Sequence, residues 1–431
     1  MENSCPAGTI LMRLTASTSR EVPFPSRFLA TAGNTGNLLF ETALERHLSG
    51  AGVVWKYQDL PQRIDCLVLA LSNVLNPFCD LSDLTEAIEA RHVRQVAVVG
   101  IGAQADDWNE KISLRPATER FLRIASERSV TIGARGDFTA ELLHSWGVRN
   151  VDVIGCPSAF DAEAEKSPVT KPKLPWAPKV AIHATMTGVF RDKVSMLLAN
   201  GHRHGADYIV QSEDWLISLL ENPDLEHDDI EHLLYFAVPF MSYHVLRDWL
   251  ARHGRVFFDA DAFRAGMSGY NFVYGMRFHG NMAAIQAGIP ALNLVFDTRT
   301  RELCEYLCLP TLDLSRFSSD VPLSELYDQA DFALFNATYK LKRQRYISFL
   351  ERQGLSHVLQ AASETLVPGT NRPAALTDAV TMSSVSRVLS DAREADYRGD
   401  RLLHEIRARI APFRSHAEAA AVQRAEFTPV L

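Results

Sequence analysis

Cysteine is sparse in this chain, with six among 431 residues. Cys5, Cys66, Cys79, Cys156, Cys304 and Cys308 are scattered, and neither a disulfide framework nor a zinc-ligand spacing can be drawn through them. Cys304 and Cys308 lie four apart without a histidine nearby, so no metal site is expected there. A reduced, cytoplasmic setting is the simplest reading. Long apolar runs are also missing. None reaches the roughly 20 residues of a membrane span, and the start of the chain lacks the apolar core of a secretory leader. There is no basic excess: the net charge of −8 argues against a general nucleic-acid binder but permits a local basic pocket. Short-period repeats are absent. What remains is 47% apolar and 22% charged, the composition of a globular chain long enough for two domains.

Apolar runs of strand length alternate with helical patterns, which predicts α/β architecture with parallel sheets. In the first half, strands are predicted at 27–30, 52–57, 66–71, 96–100, 130–134 and 151–154. Helices are predicted after the Gly33-Asn-Thr-Gly-Asn37 loop, at 81–92, from Pro116 to about 127, and from Asp137 to near Gly147. Pro168, Pro172, Pro175 and Pro178 then crowd a stretch that disfavours any regular element and reads as a hinge. The alternation resumes with strands at 180–183, 208–211 and 256–259, and helices at 190–203 and around Leu246. These patterns predict an N-terminal α/β lobe at 25–160, a hinge at 161–179 and a C-terminal α/β lobe at 180–327. A mostly helical segment at 328–431 follows. Its charged, Ala-rich end, 391–426, reads as a helix packed across the lobes or as an interaction arm.

The most informative stretch runs from Gly275 to Asp297. An apolar run ends in Gly275-Met-Arg-Phe-His-Gly280, a helix is predicted over 281–287, and Gly288 and Pro290 break it before a strand at 291–296. If the turn is extended, Arg277 and His279 project together. Gly280 then leaves room for a ligand at a helix start, where backbone N–H groups and the helix dipole favour an anion.

Ligands of two-lobed α/β proteins bind beyond the carboxyl ends of the strands, so each loop after a strand is a candidate wall. Asn34, Gly36 and Asn37 form either a ligand loop or an ordinary turn with a helix cap. Gly102 and Gln104 sit in Gly100-Ile-Gly-Ala-Gln104, which carries only part of the dinucleotide fingerprint and so does not indicate nicotinamide binding. Arg135 precedes the helix at Asp137 much as Arg277 precedes its own. The two arginines would grip a dianion from opposite lobes, or Arg135 would form a structural salt bridge. Asp297 orients His279 or caps the next helix, with Arg299 beside it. Gly280 and Asn281 complete the candidate substrate-binding set. His183 is a weaker candidate, and His202 and His204 read as surface residues.

Together, Gly275-Met-Arg-Phe-His-Gly280, Ala-Gly-Ile-Pro290 and Asp297 resemble the signature of polysaccharide pyruvyl transferases. The likeness extends through Gly33-Asn-Thr-Gly-Asn37, Gly100-Ile-Gly-Ala-Gln104, Ala134-Arg-Gly-Asp137 with Thr139, and Gly155-Cys-Pro-Ser158, all in family order. The first loop departs from the family's usual Asn-x-Gly-Asp, and lysine is more usual near Arg299. The resemblance implies two Rossmann-like lobes arranged as in GT-B glycosyltransferases, with a helical C-terminal segment. It implies phosphoenolpyruvate as donor, hydroxyls of a sugar or lipid-linked glycan as acceptor, and a cyclic pyruvate ketal as product. Arg135, Arg277 and His279 fall at its donor-binding or catalytic positions. No cofactor, metal or nucleic acid is implied, while a lipid-linked acceptor would be compatible with peripheral association with a membrane. The rival readings are a GT-B glycosyltransferase using a nucleotide sugar, and a binder of anionic glycans without turnover.

Overall fold

The structure is a computed structural model that describes residues 8–19, 21–105, 108, 112–161, 169–221 and 229–359. Two six-stranded sheets form its frame, and every strand pair in them is parallel. The first holds β1 (Thr9–Met12), β2 (Gly52–Val54), β3 (Arg63–Ala70), β4 (His92–Ile101), β5 (Ile132–Ala134) and β6 (Val151–Val153), in the order β2-β1-β3-β4-β5-β6. The second holds β7 (Val180–His183), β8 (Asp207–Val210), β9 (Gly254–Val256), β10 (Phe272–Gly275), β11 (Ala291–Val295) and β12 (Thr311–Asp313), in the order β12-β11-β10-β7-β8-β9. Parallel strands require crossovers, and helices on both faces make central strands apolar throughout. Strands β7, β10 and β11 are buried at every residue. These are the two Rossmann-like lobes that the resemblance implied.

The predicted strand at 27–30 is instead helix α1 (Phe24–Leu29). Prolines at its start suit a first helical turn, where no backbone donor is needed. The strand that opens the lobe is β1, whose Ile10 pairs with Gly52 on one side and Leu67 on the other. It lies before residue 25, in a stretch too short to show a period. The Gly33–Asn37 loop therefore joins α1 to α2 (Asn37–His47) rather than following a strand. Helices α3 (Ser82–Glu89), α4 (Pro116–Arg128) and α5 (Asp137–Ser145) fall where predicted. In the second lobe, α6 (Arg191–Arg203) and α9 (Tyr243–His253) match the sequence pattern. The pattern did not show α7 (Asp214–Glu221), α8 (Asp229–Ala237) or α10 (Ala260–Met267). The described part of the proline-rich stretch, 169–179, contains neither helix nor strand.

After α11 (Phe278–Gln286), α12 (Thr298–Leu307) and α13 (Leu323–Gln329), the long α14 (Ala333–Arg352) leaves the second lobe and packs on the first. Tyr346 Oη lies 2.9 Å from His47 Nδ1, and the Arg352 guanidinium pairs with Asp152 at 2.7 Å. Just beyond the helix, Gln353 Nε2 donates to the Thr131 carbonyl at 2.5 Å. A methyl at Gly133 would come within 2.9 Å of Phe349, so glycine in β5 permits this crossing. Residues 391–426, read as a packed helix or an arm, lie outside the described residues.

The lobes also meet at Glu302 of α12. This buried carboxyl accepts from the Thr139 N–H at 2.9 Å and from its hydroxyl at 2.8 Å, at the start of α5. Burial pushes Glu302 up to about 8, against the lowering effect of the Thr139 hydrogen bonds and the Arg135 charge. Between its ordinary value of 4.5 and about 8, the folded chain keeps a proton that the unfolded chain releases. The contribution of this group to stability is thus greatest at acid pH and declines as pH rises through that window. Glu302→Gln lacks the titration, so its melting temperature relative to the parent should improve from pH 5 to pH 8. A difference that stays constant with pH would contradict this.

Candidate functional site

The motif unit is placed by glycines packed against one histidine. A methyl at Gly275 would lie 2.1 Å from the His183 carbonyl, and one at Gly280 would lie 2.5 Å from His183 Cδ2. Gly280 therefore makes room for His183 and not for a ligand, as the sequence had suggested. The His183 Nδ1 accepts from the Arg277 N–H at 3.2 Å, and its Nε2–H donates to Asn281 Oδ1 at 3.2 Å. Asn281 in turn donates to the Gly275 carbonyl at 3.1 Å and to Asn293 Oδ1 at 2.9 Å. Burial first, and then the Arg277 charge, hold His183 at about 3, so it stays neutral. His183 and Asn281 are scaffold.

Helix α11 starts at Phe278, three residues before the predicted start, so His279 lies in the first helical turn. Arg277 is the extended cap residue before that turn, and the contacts of the two side chains show that they diverge rather than project together. Arg277 turns toward its own lobe. It donates to the Ala184 carbonyl at 2.6 Å, to Ser212 Oγ, and to Glu213 Oε1 at 2.6 Å, and the Glu213 carboxylate is almost wholly buried.

His279 turns toward the first lobe. Its ring stacks on Phe40 of α2, with centroids 5.4 Å apart and planes at 30°, and its Nε2 lies 3.6 Å from Cys156 Sγ. Its Cβ sits 3.0 Å from where a Gly36 side chain would begin. Burial, then the charges of Arg135 and Arg299, hold this imidazole well below its ordinary range. Arg135, in the turn between β5 and α5, is buried beneath the same Phe40 ring, 5.2 Å from its centroid. Main-chain carbonyls hold it, Gly100 at 2.8 Å and Leu71 at 3.4 Å, rather than the carboxylate of a salt bridge. Gly102 gives it space, since a methyl there would lie 3.0 Å from Arg135 Cδ.

Of the two roles open to Asp297, the structure shows the cap. Its Oδ1 accepts from the Thr300 N–H at 2.8 Å and hydroxyl at 2.6 Å, while Oδ2 pairs with Arg299 at 3.2 Å. The Gly33–Asn37 loop is likewise a local turn. Asn34 Oδ1 accepts from the Gly36 N–H at 2.9 Å, and Asn37 Nδ2 donates to the Thr31 carbonyl at 3.2 Å. The loop closes on the other lobe through Thr35 N–H donating to the Gln211 carbonyl at 2.9 Å.

A cavity of about 460 Å³ opens beside this cluster. Gln104, which accepts from Asn73 at 2.5 Å, reaches it from the first lobe. Arg277, Arg299, Thr185, Phe190, Phe296 and the run Ser212-Glu-Asp-Trp215 line it from the second. Sequence reasoning did not single out this run or Phe40, and it met Cys156 only within the Gly155-Cys-Pro-Ser158 likeness, with no role. The run and Cys156 follow β8 and β6, where the loop rule applies, but neither holds a residue pattern that marks chemistry by itself. Among the described residues no cluster of three or more His, Cys, Asp or Glu could hold a metal, and no helix is long and apolar enough to cross a membrane.

These features define a two-lobed α/β protein whose interlobe cleft holds a neutral histidine between arginines. The chain belongs to the polysaccharide pyruvyl transferase family, whose profile matches residues 34–298, more than half its length. No curated protein matches it in sequence. Several solved structures are distantly similar. An uncharacterized protein from Klebsiella pneumoniae is 10% identical over 70% of this chain and 88% of its own, with a TM-score of 0.36. The UDP-GlcNAc 2-epimerase from Neisseria meningitidis, bound to UDP-GlcNAc, is 12% identical over 80% and 79%, with 0.32. The wall teichoic acid polymerase TagF is 11% identical over 94% and 90%, with 0.33.

The packing around His183 leaves no room for a side chain at position 280. Gly280→Ala should cost about 1–3 kcal/mol, the usual scale of overpacking. The midpoint of urea unfolding measures it, and a midpoint equal to the parent's would show that His183 can yield.

Proposed function

We propose that the protein transfers the pyruvyl group of phosphoenolpyruvate to two hydroxyls of a sugar, free or in a lipid-linked or polymeric glycan, forming a cyclic ketal. The observation that carries this reading is the neutral His279 set between Arg135 and Arg299 in a family that handles pyruvyl groups. Phosphoenolpyruvate carries a carboxylate and a phosphate, and two guanidinium groups match that charge pattern. Arg299 is the better second donor group, because its pair with Asp297 is longer, 3.2 Å against 2.6 Å for Arg277 with Glu213, and its side chain is the more exposed of the two. Arg277 with Glu213 then shapes the acceptor cavity, where carboxylates can accept from sugar hydroxyls and Trp215 offers an apolar face.

The reaction needs a proton at the donor's C3 as an acceptor hydroxyl adds to C2. Phosphate then leaves, and the second hydroxyl closes the ketal. A histidine serves either proton transfer. The cations that hold His279 low are neutralised when a dianionic donor arrives, so its proton affinity rises on binding. The arginines compensate the donor's charge, so transfer is expected to proceed without added divalent metal, which turnover in chelator checks.

The test uses phosphoenolpyruvate labelled in its pyruvyl carbons with a panel of sugars and glycan lipids. Label transfer with matching phosphate release supports the reading, and transfer from nucleotide sugars alone would replace it with a glycosyltransferase. Binding of phosphoenolpyruvate without phosphate release would indicate a binder without turnover. His279→Asn should leave donor affinity near the parent's and slow turnover by roughly 10²–10⁴-fold. Arg299→Ala should instead weaken donor binding by about 1.5–3 kcal/mol, the scale of a charge-assisted hydrogen bond. If Arg277→Ala weakened the donor and Arg299→Ala did not, the donor would lie on the other side of His279.

A further inference from the structure

The loop after β6 carries a buried thiol to the back of the motif histidine, where the reaction above gives it no task. Gly155 takes a left-handed turn (φ 77°), and Cys156 follows it into the core. Its Sγ has two polar neighbours: Ser158 Oγ at 3.1 Å and His279 Nε2 at 3.6 Å. A thiol has one hydrogen, so it can donate to only one of them. The serine hydroxyl is the stronger donor, and an imidazole nitrogen is a better acceptor than a hydroxyl oxygen. The favourable allocation runs one way, from Ser158 O–H to Sγ and from Sγ–H to Nε2.

We propose that Cys156 is a positioning residue for His279: its thiol donates to Nε2 and so places the single imidazole proton on Nδ1. This rests on the pyruvyl-transfer reading only for its functional meaning. On that reading His279 meets its substrate as an N–H donor, which gives it the acid role at C3 rather than the base role at the hydroxyl: as the Nδ1 proton passes to C3 the thiol proton moves onto Nε2, so the ring ends neutral and the sulfur ends as a thiolate beside Arg135. The charged and titratable groups around the pair agree with a neutral ring. Arg135 approaches from the turn after β5 and Arg299 from the start of α12, and both oppose an imidazolium. Arg135 and Tyr346 of α14 both lie close enough to Cys156 to interact with charge on the sulfur. Phe40 covers one ring face without offering a polar atom.

The decisive measurement needs no activity. Histidine-selective ¹⁵N labelling of the whole protein, with His279→Asn to assign the resonances, reports which ring nitrogen carries the proton. The expected result is a protonated Nδ1 and an unprotonated Nε2 on a neutral ring. A protonated Nε2 would overturn the inference, because His279 would then be donating to the sulfur. Cys156→Ser supplies a replacement donor and should keep the tautomer and most of the turnover. Cys156→Ala removes it. Where pyruvyl transfer is measurable, that variant should lose on the order of 10²-fold in kcat. The titration of His279 read from its pH profile should move to higher pH, because a donor at Nε2 no longer opposes protonation there. Its KM for phosphoenolpyruvate should stay near the parent's. Equal pH profiles for the Ala variant and the parent would also overturn the inference. A wild-type protein that transfers no pyruvyl group at all would refute the proposed function instead, while the nitrogen spectrum still judged the thiol.

Discussion

The motif turn depends on one neutral imidazole. His183 ends β7, and both its ring nitrogens are engaged: Nδ1 accepts from the backbone of Arg277, and Nε2 donates to Asn281. Two glycines let β10 and the start of α11 close on it with no side chain between. A charged ring could not accept from Arg277, so burial, which keeps the ring neutral, also keeps the turn formed. Because the turn is tight, α11 begins at Phe278. That start sends Arg277 into its own lobe and His279 across to the other.

The divergence gives the cleft two unlike halves. On one side, His279, Arg135, Phe40 and Cys156 form a packed, desolvated cluster assembled from both lobes. On the other, Arg277 is neutralised by Glu213 and faces an open cavity with aromatic and acidic walls. A guanidinium held only by carbonyls keeps its positive field, whereas one paired to a carboxylate has largely spent it. Arg135 and Arg277 therefore differ in electrostatic role despite their matching positions before helices. The seam through Glu302, Thr139 and Thr35, together with α14 lying across the first lobe, holds these halves in register.

Much of this was legible in the chain. The alternation that predicts two parallel-sheet lobes comes from strands buried on both faces, which read as short apolar runs. The arginine turns were legible because helix starts carry local signals. Strand β1 was not, since four residues show no period. Nor was α1, whose prolines read equally as breakers. Asn34, Asn37 and Asp297 were polar residues in the right loops, and side chains in loops serve caps as readily as ligands. Only their hydrogen bonds separate the two uses.

The sequence by itself determined the alternation of most strands and helices, the family, and the small set of residues from which a site can be built, because spacing and residue type act over a few positions. The tertiary structure alone decided which of those residues work together. Arg277 meets Glu213 across 64 residues of chain, and His279 meets Cys156 across 123. No local pattern encodes such pairs. They follow from two lobes closing on each other, where burial decides which groups must be paired and which stay neutral.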